Sequence, residues 1–384
     1  MLRVAIGLGV AQTLVWGCTY YLPAILAAPV AEELGASRTL VVAAFSAALL
    51  VSGLCAPRVG RAIEAQGGRG VLAASAVVVA AGLAVLGLAP GLAGWAAGWL
   101  LLGLGMAMGL YDAAFSTLGR LYGQGARRAI TVVTLFAGFA STIFWPLGAA
   151  LLPGLGWRGL CLLYAAAHLV VALPIYMLLV PRPAPEAAPR AAATPPGVAH
   201  AAWARRAFGL LALFFVLRAM ISSVFGVHLI TLLEALGLSL AAAVGIAASV
   251  GAAQVGGRVM EFAFGARAHP LLVARLGATL LPLGVLALLL AGPAAAAPFA
   301  LAYGVSNGIL TISRGAVPLA LFGSAGYAVL MGRMAMPVLI AQAVAPTLAT
   351  PLVEGLPAGT VFALAGALAA LALLCLMLVR RPPS

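Results

Sequence analysis

The chain is a succession of apolar runs about 20 residues long, divided by short breaks rich in Gly, Pro and Arg. A helix rises about 1.5 Å per residue, so one such run reaches across roughly 30 Å of hydrocarbon. Twelve runs are expected, over residues 4–29, 39–57, 70–89, 94–117, 129–151 and 159–180, then 207–232, 239–257, 270–291, 296–317, 333–352 and 358–379. Hydrophobic residues make up 64% of the sequence and charged ones only 8%, too little polar surface to wet the outside of a soluble domain. The predicted fold class is an all-α membrane protein whose solvent is lipid. The first run, from Val4 to Val30, is longer than the ~7–15 residues of a signal-peptide core and is read as a retained span.

The net charge of +13 sits in short loops, which points to membrane orientation and away from nucleic acid. With the N-terminus inside, Arg3, Arg58, Arg61, Arg69, Arg120, Arg127 and Arg128 fall on the cytoplasmic side, against Arg38 and Arg158 outside. In the second half Arg258, Arg267, Arg333, Arg380 and Arg381 fall inside, while the outer loops carry Glu234 and Glu354. Both termini are therefore expected in the cytoplasm, with a bacterial inner membrane as the location. Lysine is absent, so there is no Walker-type phosphate loop, and any uphill work must draw on an ion gradient or another subunit. Cys18, Cys55, Cys161 and Cys375 lie in apolar segments without metal-ligand spacing. No cofactor, metal centre or enzymatic nucleophile–base pair is expected.

A polar signature occurs twice. Gly60-Arg61-Ala62-Ile63-Glu64 continues to Gly67 and Arg69, and Gly257-Arg258-Val259-Met260-Glu261 continues to Gly265 and Arg267, 257 − 60 = 197 residues later. A second echo pairs Gly109-Leu110-Tyr111-Asp112 with Gly304-Val305-Ser306-Asn307, at 304 − 109 = 195. Duplication in an apolar chain is the mark of a secondary transporter built from parallel repeats. The first signature resembles the loop between spans two and three of the major facilitator superfamily: Gly60, Glu64, Gly67 and Arg69 match, whereas Ala65 and Gly70 depart where basic residues are usual. The second copy keeps Gly257, Glu261 and Arg267 but needs one extra residue before Gly265. The loop spacing and the Gly-rich fourth span are also similar to the monocarboxylate-carrier-like branch.

The resemblance implies two parallel six-helix pseudo-repeats, residues 1–180 and 207–384, joined by a cytoplasmic linker at 181–206 with six prolines. It implies rocking of the halves around a midplane site, with protons as a common coupling ion and a monomer as the usual state. Gly60, Arg61, Glu64, Gly67, Arg69, Gly257, Arg258, Glu261 and Arg267 would form cytoplasmic gates; the plain alternative is that they anchor loops at lipid headgroups.

Arg218 lies about 11 residues into the seventh run. An Arg at such depth costs at least ~2.5–3.5 kcal/mol unless it meets water or a partner. Its guanidinium can hold a carboxylate through two parallel hydrogen bonds, or serve as a structural cation. Asp112, the only aspartate, is the candidate proton carrier or else a fixed structural anion; its counterpart Asn307 cannot titrate. Gln12, Trp16 and Tyr20 are four apart and would share a helix face suited to the apolar body of a ligand. Tyr111, Ser222, Gln254, Asn307 and Gln342 complete the candidate substrate-binding set. Arg275 and Arg314 lie nearer helix ends, where their heads can snorkel.

The expected function is alternating-access transport of a small organic anion, coupled to protons. Two alternatives stand beside it: efflux of amphipathic drugs or metal-containing toxicants, and a non-transporting membrane receptor with the same fold.

Overall fold

The computed structural model describes residues 1–182 and 198–381, which are helical almost throughout. The helices are α1 (Leu2–Cys18), α2 (Pro23–Glu33), α3 (Arg38–Gln66), α4 (Gly68–Leu88), α5 (Leu92–Gly109), α6 (Tyr111–Tyr122), α7 (Ala126–Ala137), α8 (Ala140–Ala167) and α9 (Leu173–Leu179). They continue as α10 (Val198–Ala235), α11 (Leu240–Phe264), α12 (Pro270–Ala291), α13 (Ala296–Phe322), α14 (Tyr327–Gly355) and α15 (Ala358–Leu378). Among the described residues, nine helical stretches are long and apolar enough to cross a membrane. Two of these, Leu92–Leu179 with 88 residues and Pro270–Phe322 with 53, exceed the ~20 residues of one crossing, because successive helices run on with barely a turn between them. Side chains such as Leu178 and Leu290 are 80% exposed, which only an apolar solvent tolerates on this scale.

Several helices depart from the predicted runs. Residues 4–29 form two helices: α1 stops where Thr19 leaves helical geometry (ψ −77), and Pro23 opens α2, where its missing N–H has no partner to lose. The run 94–117 breaks at Leu110, whose ψ of −171 is extended, so α6 starts afresh inside an apolar stretch. The break expected between 151 and 159 is a kink within α8 at Gly156, whose φ of 64 lies in the left-handed region. In the linker expected at 181–206, residues 183–197 lie outside the described residues, and 198–206 already belong to α10.

The chain divides into two compact units: Met1–Arg190 with Gly323–Ile340, and Ala191–Phe322 with Ala341–Ser384. In the first unit α5 packs between α3 and α4, while α1 packs on α7 and α8. Backbones approach closely where glycine allows it: a Cβ on Gly103 of α5 would lie 2.4 Å from the Ala48 carbonyl of α3. Trp95 is fully buried beside Trp99 and donates its indole N–H to the Val41 carbonyl at 3.0 Å.

In the second unit α13 packs on α11 and α12, and α15 on α10 and α12. Gly304 and Gly308, one turn apart on α13, face the carbonyls of Val250 and Gln254 on α11; an added Cβ would lie 2.6 and 2.1 Å from these oxygens. Phe225, Phe299, Tyr303 and Phe362 fill the core with mutual ring contacts of 5.3–6.2 Å. One local turn recurs in both units. Gly35 (φ 60) and Gly237 (φ 96) each precede, by two residues, a serine that caps the next helix: Ser37 accepts from the Leu40 N–H, and Ser239 from the Ala242 N–H.

Candidate functional site

Three clusters collect most of the sequence candidates. In the first unit the face of α1 carries Gln12, Trp16 and, just beyond its end, Tyr20. Gln12 is fully buried: its amide nitrogen donates to the Gly109 carbonyl, and its oxygen accepts from the Trp16 indole at 3.2 Å. The break at Leu110 is what leaves the Gly109 carbonyl without a helical partner. Trp16 is then hemmed in by Tyr20 at 5.0 Å and Tyr111 at 4.8 Å between ring centroids. Tyr111 stacks on Phe115 with planes 14° apart, Tyr20 meets Phe45, and Tyr21 meets Trp145. The result is a half-buried aromatic wall pinned by one buried amide. Asp112 follows in the first turn of α6, where the helix N-terminus favours a negative charge, and shares a crevice with Gly60, Ile63, Ser116 and Gly332.

In the second unit Arg218 on α10 is 6% exposed. One of its terminal nitrogens donates to the Asn307 side-chain oxygen at 2.7 Å and the Ser306 hydroxyl at 3.2 Å. Ser222, one turn along α10, donates to the same Asn307 oxygen at 3.3 Å. The Nε and Nη1 of Arg218 are buried with no hydrogen-bond partner among the described residues. Within this unit the cation thus meets an amide and a hydroxyl, and no carboxylate, although buried cations ordinarily require a counter-charge. Ser223 donates to the Gln342 backbone carbonyl at 2.7 Å. Gln254 stays half-buried on α11 apart from these bonds.

The first signature loop holds α3 against the start of α14. Glu64 accepts from the backbone N–H groups of Gly326 at 3.3 Å and Ala328 at 3.2 Å, seating a carboxylate on the N-terminus of that helix. Arg120 of α6 donates to the Glu64 carbonyl and lies 4.0 Å from its carboxylate. Gly60 and Gly332 sit where α3 and α14 touch, and a Cβ on either would strike the facing backbone. Gly67 takes φ 80 at the turn into α4. Arg61 is exposed and Arg69 half-buried, neither with a side-chain bond among the described residues. The second copy is more enclosed: Arg258 is 6% and Glu261 5% exposed, Gly257 packs on the Val305 carbonyl, Gly265 opens a short 3-10 turn, and Arg267 ends it exposed.

The family model described as Major Facilitator Superfamily matches residues 8–329. The chain belongs to the major facilitator superfamily. Membership makes it an integral membrane transporter of small molecules and not an enzyme. No curated protein matches its sequence significantly. Solved structures of the superfamily match over nearly the whole chain. The human organic anion transporter MFSD10 (TETRAN) is 18% identical with a TM-score of 0.73, covering 98% of both chains. The E. coli fucose:proton symporter FucP is 15% identical with a TM-score of 0.74, again over 98% of both. FucP in the outward conformation gives 14% and 0.71 over the same shares. At these identities the likeness establishes the major facilitator fold alone.

Three residues that matter in this geometry escaped the sequence reading as site residues. Ser306 was visible only as the neighbour of Asn307 in the second echo. Ser223 follows Ser222 directly, but helical phase turns it toward Gln342. Arg120 lies two turns from Asp112, and nothing in its local sequence announces Glu64 as a partner.

Proposed function

We propose that this transporter carries a small organic anion and that Arg218 is its anion-binding group. The observation that carries the reading is a guanidinium buried to 6% exposure whose Nε and Nη1 have no partner among the described residues. A carboxylate arriving there would find an unpartnered donor on either edge of the guanidinium, Nε on one and Nη1 on the other, each able to give a charge-assisted hydrogen bond. Asn307 and Ser306 hold Nη2 of the cation, Ser222 braces the same Asn307 oxygen, and together they set its orientation. The aromatic wall of Trp16, Tyr20 and Tyr111 supplies the surface for the apolar body of the substrate. MFSD10 is an organic anion transporter, which supports this class, and FucP is a fucose:proton symporter, which supports coupling to protons; we assign the proton to Asp112.

The cycle is alternating access by two repeated six-helix halves, twelve spans in all, residues 1–180 and 207–384 around the linker at 181–206. The turns at Gly35 and Gly237, each with its serine cap, support the repeat. The seating of Glu64 on the first turn of α14, with Gly60 at the crossing, supports a cytoplasmic gate in the first signature; the second acts likewise. The protein works as a monomer in a bacterial inner membrane with both ends in the cytoplasm.

The test is carboxylate counterflow in proteoliposomes, with binding followed by thermal stabilisation. Arg218→Gln should weaken carboxylate binding by at least about 30-fold, since it removes one partner of a buried charge pair. Carboxylate binding that survives R218Q, or stabilisation only by amphipathic cations, refutes the anion reading and moves the aromatic wall to the centre of an efflux site.

A further inference from the structure

The transport reading makes no use of a basic pocket at one end of the second unit. It has a volume of about 330 Å³ and is lined by His269, Arg275, Arg380 and Arg381 together with Leu271, Leu272 and Val379. Two helix ends build it. Its first side is the N-terminus of α12, where His269 Nδ1 accepts from the Leu271 N–H at 3.2 Å and no acidic residue occupies the first turn. The positive pole of that helix therefore adds to the arginines. Its other side is the C-terminal end of α15. Arg275 donates there to the carbonyls of Leu376, Met377 and Val379 at 3.3, 3.1 and 2.7 Å, which fixes its guanidinium in place. Trp203 donates to the Arg380 carbonyl at 3.0 Å and holds the segment that follows the helix.

The pocket lining contains no carboxylate, and among the described residues neither Arg380 nor Arg381 forms an ion pair; both are exposed. Among the described residues, three arginines thus converge on one cavity without a counter-charge. The walls leading away from it are apolar and open: Leu272 is 48% exposed, Leu276 61%, Met377 45% and Leu378 45%. A soluble anion has no use for such walls, whereas the acyl chains of a lipid do.

We propose that this pocket binds the phosphate of an anionic phospholipid, with the acyl chains lying along α12 and α15. Arg275 is the fixed contact, and Arg380 and Arg381 close over the headgroup. Basic pockets between membrane helices take anionic headgroups by this chemistry, at about a five-fold gain in affinity per arginine. Inorganic phosphate shares the oxyanion but not the chains.

The test uses full-length protein, delipidated in detergent, with native mass spectrometry as the readout. Dioleoylphosphatidylglycerol, dioleoylphosphatidylcholine and inorganic phosphate are titrated separately, and phosphate is then added against bound phosphatidylglycerol. The expected result is preferential retention of phosphatidylglycerol over phosphatidylcholine. R380Q/R381Q should reduce that affinity about 25-fold, while R3Q/R58Q, which removes equal charge from exposed positions of the other unit, leaves it unchanged. Equal retention of the two lipids overturns the proposal, as does an equal loss in both double variants. Displacement of the lipid by equimolar phosphate also overturns it, by assigning the pocket to a soluble anion. If R380Q/R381Q does not fold, the lipid preference of the wild-type protein still decides.

Discussion

Replacing Gly60 with Ala forces apart the two helices that the first signature holds together. A Cβ on Gly60 would lie 2.3 Å from the Ala328 carbonyl oxygen, and one on Gly332 would lie 2.4 Å from that of Ala56. Carbon and carbonyl oxygen rest at roughly 3.3 Å, so α3 and α14 must part by about 1 Å. A gap of that size forfeits about a quarter to a half of each dispersion contact along the crossing, and overpacking at such sites costs about 1–3 kcal/mol. Helix propensity returns up to about 1 kcal/mol of this, an amount that Gly251→Ala measures separately because its Cβ would meet nothing within 4 Å. Ser116 reports the opening: it is 2% exposed and lines the crevice shared by Gly60 and Gly332. With the four native cysteines replaced, alkylation of S116C should run roughly 5–150-fold faster in G60A. Because one separation relieves both clashes, G60A/G332A should label little faster than either single variant. An unchanged rate in G60A, or single effects that multiply fully in the double variant, would refute backbone contact as what closes this crossing.

Three further outcomes follow from the same geometry. Glu64→Gln should raise S116C labelling by less than ten-fold, with the difference shrinking in high salt, because a 30%-exposed carboxylate on a helix N-terminus contributes about 0.3–1 kcal/mol. Gln12→Leu should lower thermal stability by about 1–3 kcal/mol, the cost of leaving the Gly109 carbonyl unsatisfied in a buried site; a neutral result would mean that carbonyl has another donor. Gly67→Ala should cost about 1–2 kcal/mol in the same thermal assay, since φ 80 is strained for any residue with a side chain, and an unshifted melting curve would contradict it.

The helices were legible because lipid leaves a chain few options: long apolar runs must satisfy their own backbone, and the helix does so locally. The interruptions were harder to see. Leu110 breaks its helix between apolar neighbours, and the donor that compensates, Gln12, lies 97 residues before the Gly109 carbonyl it satisfies. At Gly156 the sequence announced a break between 151 and 159, but not that the helix would continue through it as a kink with a positive φ. Arg218 stood out because its type is costly at that depth, but its partner Asn307 is 89 residues away and owes its place to α13 packing on the unit core. The signature loop displayed Glu64, yet its bonds run to Gly326 and Ala328, 262 and 264 residues on, which no local pattern encodes. Long-range partners follow from helix packing, and periodicity within one helix carries no record of them.

The bond between Gln12 and Gly109 also bears on biogenesis. A helix interrupted at Leu110 enters the bilayer with backbone groups that hydrocarbon cannot satisfy. The segment from Leu92 to Tyr122 is therefore poorly suited to sit in lipid alone and is received by α1, which leaves the ribosome before it. Insertion then has an order written into it: the N-terminal helix waits as a chaperone within the chain, and a translation product lacking it should stall with α5 and α6 incompletely integrated.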